Sequence, residues 1–582
     1  MGNACSPESE EGAVAHSVHS QLYPMYLVKV SDILQMEGAP EPHHVVQEKG
    51  LLHAWQPGMF SIFLSHQWLG RAHPDATGVQ FCVLQEMLRG IINGSVKVEP
   101  DLVSQMQSKA SRDVSMDAKT REQVVNGYVF FDWFAIPQIT ARTKGQNEDS
   151  DRSDAAKAVQ SIPFYVEVSN LFVALVPEAQ HESGASCNYT SWLSRGWCRA
   201  ELWCHLLSHK PDTSVILAHS CVEVRLMFPL DWQENSIVDG DFTVPEDRDV
   251  VAKLGERAVK NKIHHLSTAG PLWLYRFYKA CEGKLLGHAS SWNVPSFLDN
   301  FRYESLDSCV KDVHCMNAML CAVLAGDSGI IRALANHRAD VNFRVKDLAQ
   351  LGYFDGQTLL MVAAKTRQKP ELLATLIELR ADIHAVAPSG AGLAHFLRTP
   401  EQVNFLLTAR GDVNKTTGPI FLSPVAAAAA MGRIGTLKAM LAAKGDVNPP
   451  TRGLGHTPLH HAVFFARGNP DAVQIAKLLI EHRADVNAET RPSGSIRWIT
   501  LAAQAYMSCM GESSPLSYKA FAMMPGATPL LEVAWTGDME LTRLLLEAEA
   551  DLNSNDFGYS PEDVAKMNGH FHLLPLLSLF SV

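Results

Sequence analysis

The sequence predicts a multidomain protein in which an α/β domain built on a parallel sheet precedes an all-α repeat solenoid. At 582 residues the chain is too long for a single hydrophobic core. In its first half, short apolar runs alternate with amphipathic helical patterns, which favours parallel strands joined by helices. In its second half, one short phrase recurs roughly every 33 residues, which indicates a solenoid of helical repeats.

Composition and charge narrow the classes of partner. The chain has 62 acidic and 50 basic residues, a net charge of -12, and no Lys/Arg-rich run, so we expect no nucleic-acid partner. Apolar runs stay shorter than the roughly 18 residues of a membrane-spanning helix. The 11 cysteines include no C-x-x-C pair, and we predict neither a metal site nor a disulfide framework. Scattered thiols and a start unlike a secretory signal favour the cytoplasm.

Residues 1–14 are predicted to form an acylated, disordered tail. The run from Met1 to Ser6 fits the pattern in which Met is removed and Gly2 receives myristate. A single myristoyl chain binds membranes only marginally, and Cys5 stands where a palmitoyl chain would supply a second anchor. We therefore expect a peripheral, lipid-anchored protein on the cytoplasmic face of a membrane. The alternative is an unmodified polar tail in which Cys5 is a free thiol.

A leader segment of uncertain structure, 15–58, precedes the α/β domain at 59–235. Strands are predicted where apolar runs end in polar residues, at 60–65, 128–132, 171–176 and 214–218. Helices are predicted from their periodicity at 79–92, 155–168 and 197–207. Ligands of open parallel sheets bind at the carboxyl ends of strands. Ser65, His66 and Asp132 therefore share a candidate ligand-binding edge, although a strand-end aspartate also commonly caps a loop.

Three segments of this domain carry a family resemblance. They are Phe63-Leu64-Ser65 at the first strand, Phe131-Asp132 at the second, and the helix that carries Ser194, Trp197, Cys198, Glu201 and Leu202 in the pattern S-x-x-W-C-x-x-E-L. Together they resemble a Toll/interleukin-1 receptor (TIR) domain, whose fold is a flavodoxin-like parallel sheet. The resemblance implies signalling by self-association, and hence a homo-oligomer formed through this domain. A polar loop at 139–155 stands where TIR domains carry a self-association loop.

The resemblance also has an enzymatic implication. In TIR domains that cleave NAD, the glutamate of this helix is catalytic, and Glu201 matches it. NAD would then be the substrate, and the resemblance implies ligand contacts by Ser65, His66, Asp132 and Trp197. After the first strand the chain has His66-Gln67-Trp68, where NAD-cleaving members commonly have an aromatic residue followed by arginine. NAD+ nucleosidase activity therefore stands as an alternative to a purely scaffolding role.

Glu201 also has a reading that does not depend on the family. On a helix it lies one turn after Trp197 and Cys198, so its neighbours on one side are apolar. An unpaired carboxylate there is costly, which favours a functional role such as stabilising the positive charge of a breaking glycosidic bond. The alternative is a glutamate on the solvent side of the helix, or one paired with Arg195 or Arg199.

A helical connector is predicted at 236–312, followed by the repeat array at 313–582. Six copies of a four-residue phrase mark the array, and they begin at Ala339, Ala381, Gly411, Gly445, Ala484 and Ala550. The run Thr457-Pro458-Leu459-His460-His461-Ala462 has the T-P-L-H-x-A start of an ankyrin repeat, and the region resembles about seven such repeats. The threonine suits a helix cap and the proline a first turn. The resemblance implies that the array binds protein partners.

The stretch 493–525 interrupts the period and is rich in methionine, with a tryptophan at Trp498. We interpret it as an insertion or a degenerate repeat near the binding face; a packed loop is the alternative.

The whole sequence predicts a membrane-tethered signalling scaffold in which the array binds partners and the TIR-like domain self-associates. The alternative function is an NAD-cleaving enzyme regulated by the array, with Glu201 catalytic.

Overall fold

The computed structural model describes residues 21–107, 116–137, 153–288, 291–416, 418, 422–511 and 514–580. Gly2 and Cys5 lie outside these residues, as does most of the 139–155 loop. The predictions of acylation and of a self-association loop therefore stay predictions. In the described part of the chain, an N-terminal region contains a mixed sheet and the remainder is helical.

The N-terminal region is built on a seven-stranded sheet and also contains a small two-stranded ribbon. In chain order the strands are β1 (Tyr26–Lys29), β2 (His53–Ala54), β3 (Ser61–His66), β4 (Tyr128–Phe130), β5 (Leu171–Leu175), β6 (Ala179–Gln180), β7 (Ser186–Cys187), β8 (Val215–Ala218) and β9 (Val224–Leu226). The sheet order is β2-β1-β4-β3-β5-β8-β9, and β6 pairs with β7. Strands β4, β3, β5 and β8 are parallel, whereas β1, β2 and β9 pair antiparallel at the edges.

All four predicted strands occur, as β3, β4, β5 and β8, but the sheet is mixed and not wholly parallel as predicted. The additional strands β1 and β2 come from the leader segment, to which the sequence pattern assigns no element. They have four and two residues, too few for an alternating pattern to stand out. Pairing with β4 and the complete burial of Leu27 and Val28 hold β1 in the sheet.

Helices cover the sheet and leave its central strand buried along its whole length. They lie at Val30–Ile33, His43–Glu48, Val79–Asn93, Leu102–Gln107, Ala118–Val125, Asp132–Ala135, Asp154–Gln160, Ile162–Val168, Tyr189–Ser194 and Gly196–Leu206. The predicted helix at 155–168 is thus two helices. Pro163, near the start of the second, has no N–H to continue the hydrogen bonds of the first, so the helix is interrupted at Ser161.

The connector and the array are helical, as predicted. The connector helices are Asp247–Thr268, Leu272–Leu285, Val294–Asn300 and Leu306–Lys311. The helices of the array form pairs, which in the described residues are Ala318–Ala325 with Ser328–Asn336, Leu359–Lys365 with Pro370–Glu378, Leu393–Phe396 (a 3₁₀ helix) with Pro400–Thr408, Pro424–Met431 with Ile434–Ala442, Pro458–Phe464 with Ala472–Glu481, Pro529–Thr536 with Met539–Glu547, and Pro561–Met567 with Leu574–Leu579. Stacking of neighbouring pairs buries apolar faces that no pair covers alone.

The recurring four-residue phrase forms a turn and links neighbouring pairs. In one copy the Asp446 carboxylate accepts the N–H of Asn448 at 2.9 Å, which closes an Asx turn. From the preceding copy, the Asn414 side chain donates to the Lys444 carbonyl at 2.9 Å and accepts the Asp446 N–H at 2.8 Å. Equivalent bonds are made by Asn342, Asn448 and Asn487. In these four copies the asparagine thus holds the turn of the following copy.

The same bonds identify the stretch after residue 493 as an insertion. Asn487 donates to the carbonyl of Glu549 and accepts the N–H of Asp551, which are 62 and 64 residues further along the chain. The helix pairs on either side of the stretch are therefore structural neighbours, and no degenerate repeat stands between them. The stretch itself is a helical hairpin of Gly494–Met510 and Leu516–Met523.

The N-terminal region contacts the array through two ion pairs, one at a buried glutamate and one half-buried. Glu223 is fully buried and accepts two hydrogen bonds from Arg467, at 2.6 and 2.8 Å. Arg367 pairs with Glu234 at 2.6 Å. Bidentate and charge-assisted contacts of this kind are geometrically specific. They fix the sheet domain against the turns that join the two helices in the second and fifth pairs of the array.

Candidate functional site

The carboxyl end of β3 meets a carboxylate from a neighbouring helix. The Ser65 hydroxyl donates to Glu201 Oε2 at 2.5 Å, and the Trp192 indole donates to Ser65 Oγ at 3.0 Å. Ser65 thus stands between an indole and a carboxylate. Ser65 lies at the carboxyl end of a central parallel strand, and open α/β folds bind ligands at the carboxyl ends of their strands.

The start of the Gly196–Leu206 helix is held in place by close packing. A Cβ on Gly196 would come within 2.1 Å of the Phe242 ring, so only glycine fits there. The Gly196 N–H donates to the Asp241 carbonyl, and the buried Arg199 guanidinium donates to the carbonyls of Leu193 and Ser236. These contacts fix the helix and hence the positions of the side chains that it directs at β3.

Two residues of this helix, one turn apart, contact the end of β3. The Cys198 thiol contacts the His66 carbonyl at 3.5 Å, and Glu201 accepts the Ser65 hydroxyl. Burial raises the pKa of the Glu201 carboxyl to about 8, from an ordinary value of 4.5, and the Ser65 hydrogen bond opposes that rise only in part. At neutral pH Glu201 is therefore mostly protonated, and it ionises as the pH rises through about 8.

His66 and Asp132 form the second half of the site. His66 Nε2 lies 2.8 Å from Asp132 Oδ1, and its Nδ1 lies 3.0 Å from Gln80 Oε1. The Trp68 indole donates to the other oxygen of Asp132 at 2.8 Å. Burial alone would lower the pKa of His66, but the carboxylate outweighs it and raises the pKa. Burial would likewise raise the pKa of Asp132, and the charge and hydrogen bonds of His66 and Trp68 hold it below its ordinary value.

The structure brings together four of the five residues that the sequence assigns to catalysis or ligand binding: Ser65, His66, Asp132 and Glu201. Trp197 is directed elsewhere, because its indole donates to Asp247 of the connector at 2.8 Å. Sequence reasoning missed the partners that orient the four residues, which are Trp68, Gln80, Trp192 and Cys198. Cys198 lies in the helix motif itself, whereas Gln80 and Trp192 are distant in sequence from the groups that they contact.

The described residues contain no group of three His, Cys, Asp or Glu side chains arranged to hold a metal ion. None of the described helices is long and apolar enough to cross a bilayer.

The start of the fifth helix pair in the array has the geometry that its sequence motif requires. The Thr457 hydroxyl lies 2.8 Å from His460 Nδ1 and accepts the His460 N–H, so the two residues form a capping box. His460 Nε2 lies 3.1 Å from the carbonyl of Ala527, at the turn before the next helix pair. Residues 454–491 match the family model of the ankyrin repeat. The buried histidine is thus a structural residue of that repeat.

The match covers a small part of the chain and includes one of the helix pairs. No curated protein matches the chain as a relative. Ankyrin repeats generally bind protein partners, and the matched repeat lies within the array.

Proposed function

We propose that the protein is a signalling scaffold whose array binds protein partners on the inserted helical hairpin. The observation that carries this proposal is the exposed apolar surface of the Gly494–Met510 helix. The helix buries Ile496, Thr500, Ala503 and Met507. On its other sides it exposes apolar residues, with Trp498 at 73% exposure.

The exposed residues form a surface that suits a protein partner. Besides Trp498 they include Ile499, Leu501, Tyr506 and Met510, together with Tyr518 of the second helix. Tyrosine, tryptophan and methionine are enriched at protein interfaces, and a tryptophan is a frequent centre of binding energy. This number of apolar residues exposed on one helical hairpin is costly to leave in water. The partner we propose is a different protein with an apolar helix or strand face that covers this surface.

A double substitution, Trp498→Ser with Tyr506→Ser, should abolish partner binding while leaving the fold intact. Trp498 is 73% exposed and Tyr506 37% exposed, so the double change removes mainly the contact of the Tyr506 ring with that of Tyr518, 4.5 Å away. Loss of an interface tryptophan typically weakens binding by about 2 kcal/mol or more. The measurement is affinity purification from the native cells, with Phe571→Ser, an exposed aromatic at the far end of the array, as the matched control.

Partners recovered with the wild type and the control, and lost with the double variant, would support the proposal. Equal recovery with all three proteins contradicts it. Sedimentation velocity on the purified protein tests whether the surface instead binds a second copy of this chain. Self-association of the wild type that is lost in the double variant would show that it does.

The role we propose for the α/β domain is that of a TIR-like module that signals by self-association. The order of the parallel strands supports a TIR-like fold. Numbered by their order along the chain, the four parallel strands lie side by side as 2-1-3-4, which corresponds to β4-β3-β5-β8. Flavodoxin-like sheets share that order. The Glu201 helix supports it further, since the motif residues Cys198 and Glu201 both contact the end of the first parallel strand.

Membrane tethering through Gly2 and Cys5 completes the proposed scaffold. We expect Gly2→Ala to shift the protein from the membrane to the soluble fraction, because a single remaining acyl site is not brought to the membrane where it would be palmitoylated. Flotation of cell membranes on a density gradient measures the shift, with Ser6→Thr as a control that preserves the motif. Unchanged membrane recovery of Gly2→Ala would refute the tether.

The second candidate function is NAD cleavage by the α/β domain. The observation that favours NAD cleavage is the hydrogen bond between Ser65 and Glu201 beside the His66–Asp132 pair, at the carboxyl ends of β3 and β4. A carboxyl group whose pKa is raised by burial is typical of active sites. Ionised Glu201 would stabilise the oxocarbenium-like charge on the ribose as nicotinamide leaves.

A further inference from the structure

Two adjoining cavities lie between the α/β domain and the array. The first, of about 190 Å³, has many charged groups in its wall, and five of these are Arg225, Arg367, Arg398, Arg433 and Arg467. The second, of about 180 Å³, is mainly apolar, with a wall that includes Phe354, Phe396, Phe464, Phe521 and Met524. Both share Arg398, Met431 and Trp535. Each exceeds the roughly 150 Å³ that holds a benzene molecule in an engineered cavity.

Four of the arginines occupy equivalent places in four successive helix pairs. Each stands two or three residues after the first helix of its pair ends, and together they are Arg367, Arg398, Arg433 and Arg467. We call these four residues the arginine row. A solenoid presents equivalent positions of its repeats side by side, so the row lines one surface of the array.

The two ends of the row bind the α/β domain, whereas its middle does not. Arg367 pairs with Glu234 at 2.6 Å, and Arg467 pairs with Glu223 at 2.6 Å. Among the residues that the structure describes, no carboxylate lies within ion-pair distance of Arg398, which is bonded only to uncharged groups. Arg433 likewise makes no ion pair with any described residue.

Arg398 carries its charge in the interior of the protein. It is only 5% exposed, and its Nη1 donates to the carbonyls of His395 and Leu397 at 3.4 and 3.0 Å. Its Nη2 contacts the Met431 sulfur at 3.8 Å. Burial lowers the pKa of Arg398 to about 10, which leaves it charged at neutral pH. A buried guanidinium without a counter-charge is expensive, so this position favours an anion.

A second buried cation faces the apolar cavity. Lys365 is 7% exposed, its ammonium donates to the Gly352 carbonyl at 2.5 Å, and it lies 5.4 and 5.2 Å from the ring centres of Tyr353 and Phe354. It too makes no ion pair with a described residue. Burial lowers the pKa of Lys365 to about 7, so this lysine is only partly charged at neutral pH, and Glu532 in the same wall lies 3.0 Å from His456 Nε2. The uncompensated positive charge is therefore chiefly that of Arg398 and Arg433.

The acidic groups in the charged cavity do not cancel this charge. Glu234 forms an ion pair with Arg367, and Asp231 accepts a hydrogen bond from the Tyr189 hydroxyl at 2.7 Å. Burial raises the pKa of Asp231 to about 7, so Asp231 is partly protonated at neutral pH, and burial also raises the pKa of Asp101 above its ordinary value.

We propose that the joined cavities bind a small amphiphile, with its phosphate or carboxylate head group held by Arg398 and Arg433 and its apolar body among the aromatic side chains. The planar guanidinium fork matches both kinds of oxyanion. An apolar cavity with a few convergent polar groups is the usual form of a small-molecule site. Because both domains line it, the ligand links the α/β domain to the array.

Calorimetric titration of the full-length protein tests the proposal with four probes. Decyl phosphate and decanoate have a chain and a charged head, decanol has the chain alone, and inorganic phosphate has the charge alone. We expect at least one anionic amphiphile to bind on the order of tenfold more tightly than decanol and inorganic phosphate, since charged hydrogen bonds contribute about that factor. The tighter of the two anions identifies the head group. Binding should also raise the Tm.

Two variants locate the site. Arg433→Gln should weaken binding of the anionic probe on the order of tenfold, and Arg398→Gln at least as much. Arg433 makes no ion pair with a described residue, so its substitution is the variant that keeps the fold should Arg398→Gln destabilise it. Arg543→Gln, an exposed change on the helix Met539–Glu547, is the matched control.

Three results would overturn the proposal. They are binding of decanol as tight as that of the anionic amphiphiles, unchanged affinity of a folded Arg433→Gln variant, and no binding of either anionic amphiphile at millimolar concentration.

Discussion

Replacing Ala462 by aspartate is expected to unfold the middle of the array while the sheet of the α/β domain stays folded. Ala462 is 1% exposed in the helix Pro458–Phe464, where it belongs to an apolar cluster with Leu459 and Val463. A carboxylate there has no cation to pair with in that cluster, and burying it unpaired costs several kcal/mol. In a solenoid each repeat depends on its neighbours, so the loss spreads to adjacent helix pairs.

Hydrogen exchange measured by mass spectrometry on the full-length protein locates the effect. We expect amides of 424–481 to lose protection while β3 and β5 keep theirs. Ala502→Asp, at an exposed position on the inserted helix, is the control and should leave the exchange pattern unchanged. Protection of 424–481 equal to that of the wild type would show that the best-matched repeat tolerates a buried charge, against our account of its packing.

The elements that sequence reasoning found are those whose patterns are local. Strand β3 is a continuous apolar run that ends in Ser65 and His66, and its burial on both faces follows from that run. The short strand β1 was missed because its place in the sheet depends on pairing with β4, about 100 residues away. The mixed character of the sheet could not be predicted for the same reason.

In the candidate site, too, the residues that a local pattern marks were predicted, and those that depend on distant contacts were not. Glu201 and Asp132 were found because a helix motif and a strand end mark them. Gln80, which contacts His66, lies in a helix whose pattern shows only that it is amphipathic, and Trp192, which contacts Ser65, lies in the short helix Tyr189–Ser194, which no sequence pattern predicts. No local pattern indicates which distant side chain a buried polar group will reach.

The arginine row shows a third kind of signal. Its four members recur at the period of the repeats, so their alignment is present in the sequence. Their surroundings cannot be predicted from the sequence, because which of the four arginines pairs with a carboxylate depends on how the α/β domain packs against the array. Glu223 and Glu234 belong to segments far from the array in sequence, and their pairing with the ends of the row leaves its middle uncompensated.

If the α/β domain cleaves NAD, which is the second candidate function, substituting Glu201 by glutamine is expected to lower that activity of the full-length protein on the order of a hundredfold or more, as loss of an electrostatic partner of a transition state does elsewhere. Glutamine still accepts the Ser65 hydroxyl but carries no negative charge. Because the pKa of Glu201 is raised to about 8, the wild-type kcat/KM should rise with pH through that value as the carboxylate forms. Nicotinamide release across the pH range measures both effects, with Glu122→Gln, exposed on the helix Ala118–Val125, as the control.

The stability of the same variant should change in the opposite direction. A carboxyl group with a folded pKa near 8 and an ordinary value of 4.5 favours the folded state only while it is protonated, so the free energy of unfolding falls as the pH rises between these values. Glutamine cannot ionise, and Glu201→Gln should therefore match or exceed the wild-type Tm above pH 8. A scaffold without enzymatic function would show this gain in stability together with no nicotinamide release by the wild type, even when it is clustered on vesicles. Release that survives in Glu201→Gln would remove Glu201 from the reaction, because a group that supplies the stabilising charge cannot be dispensable for turnover.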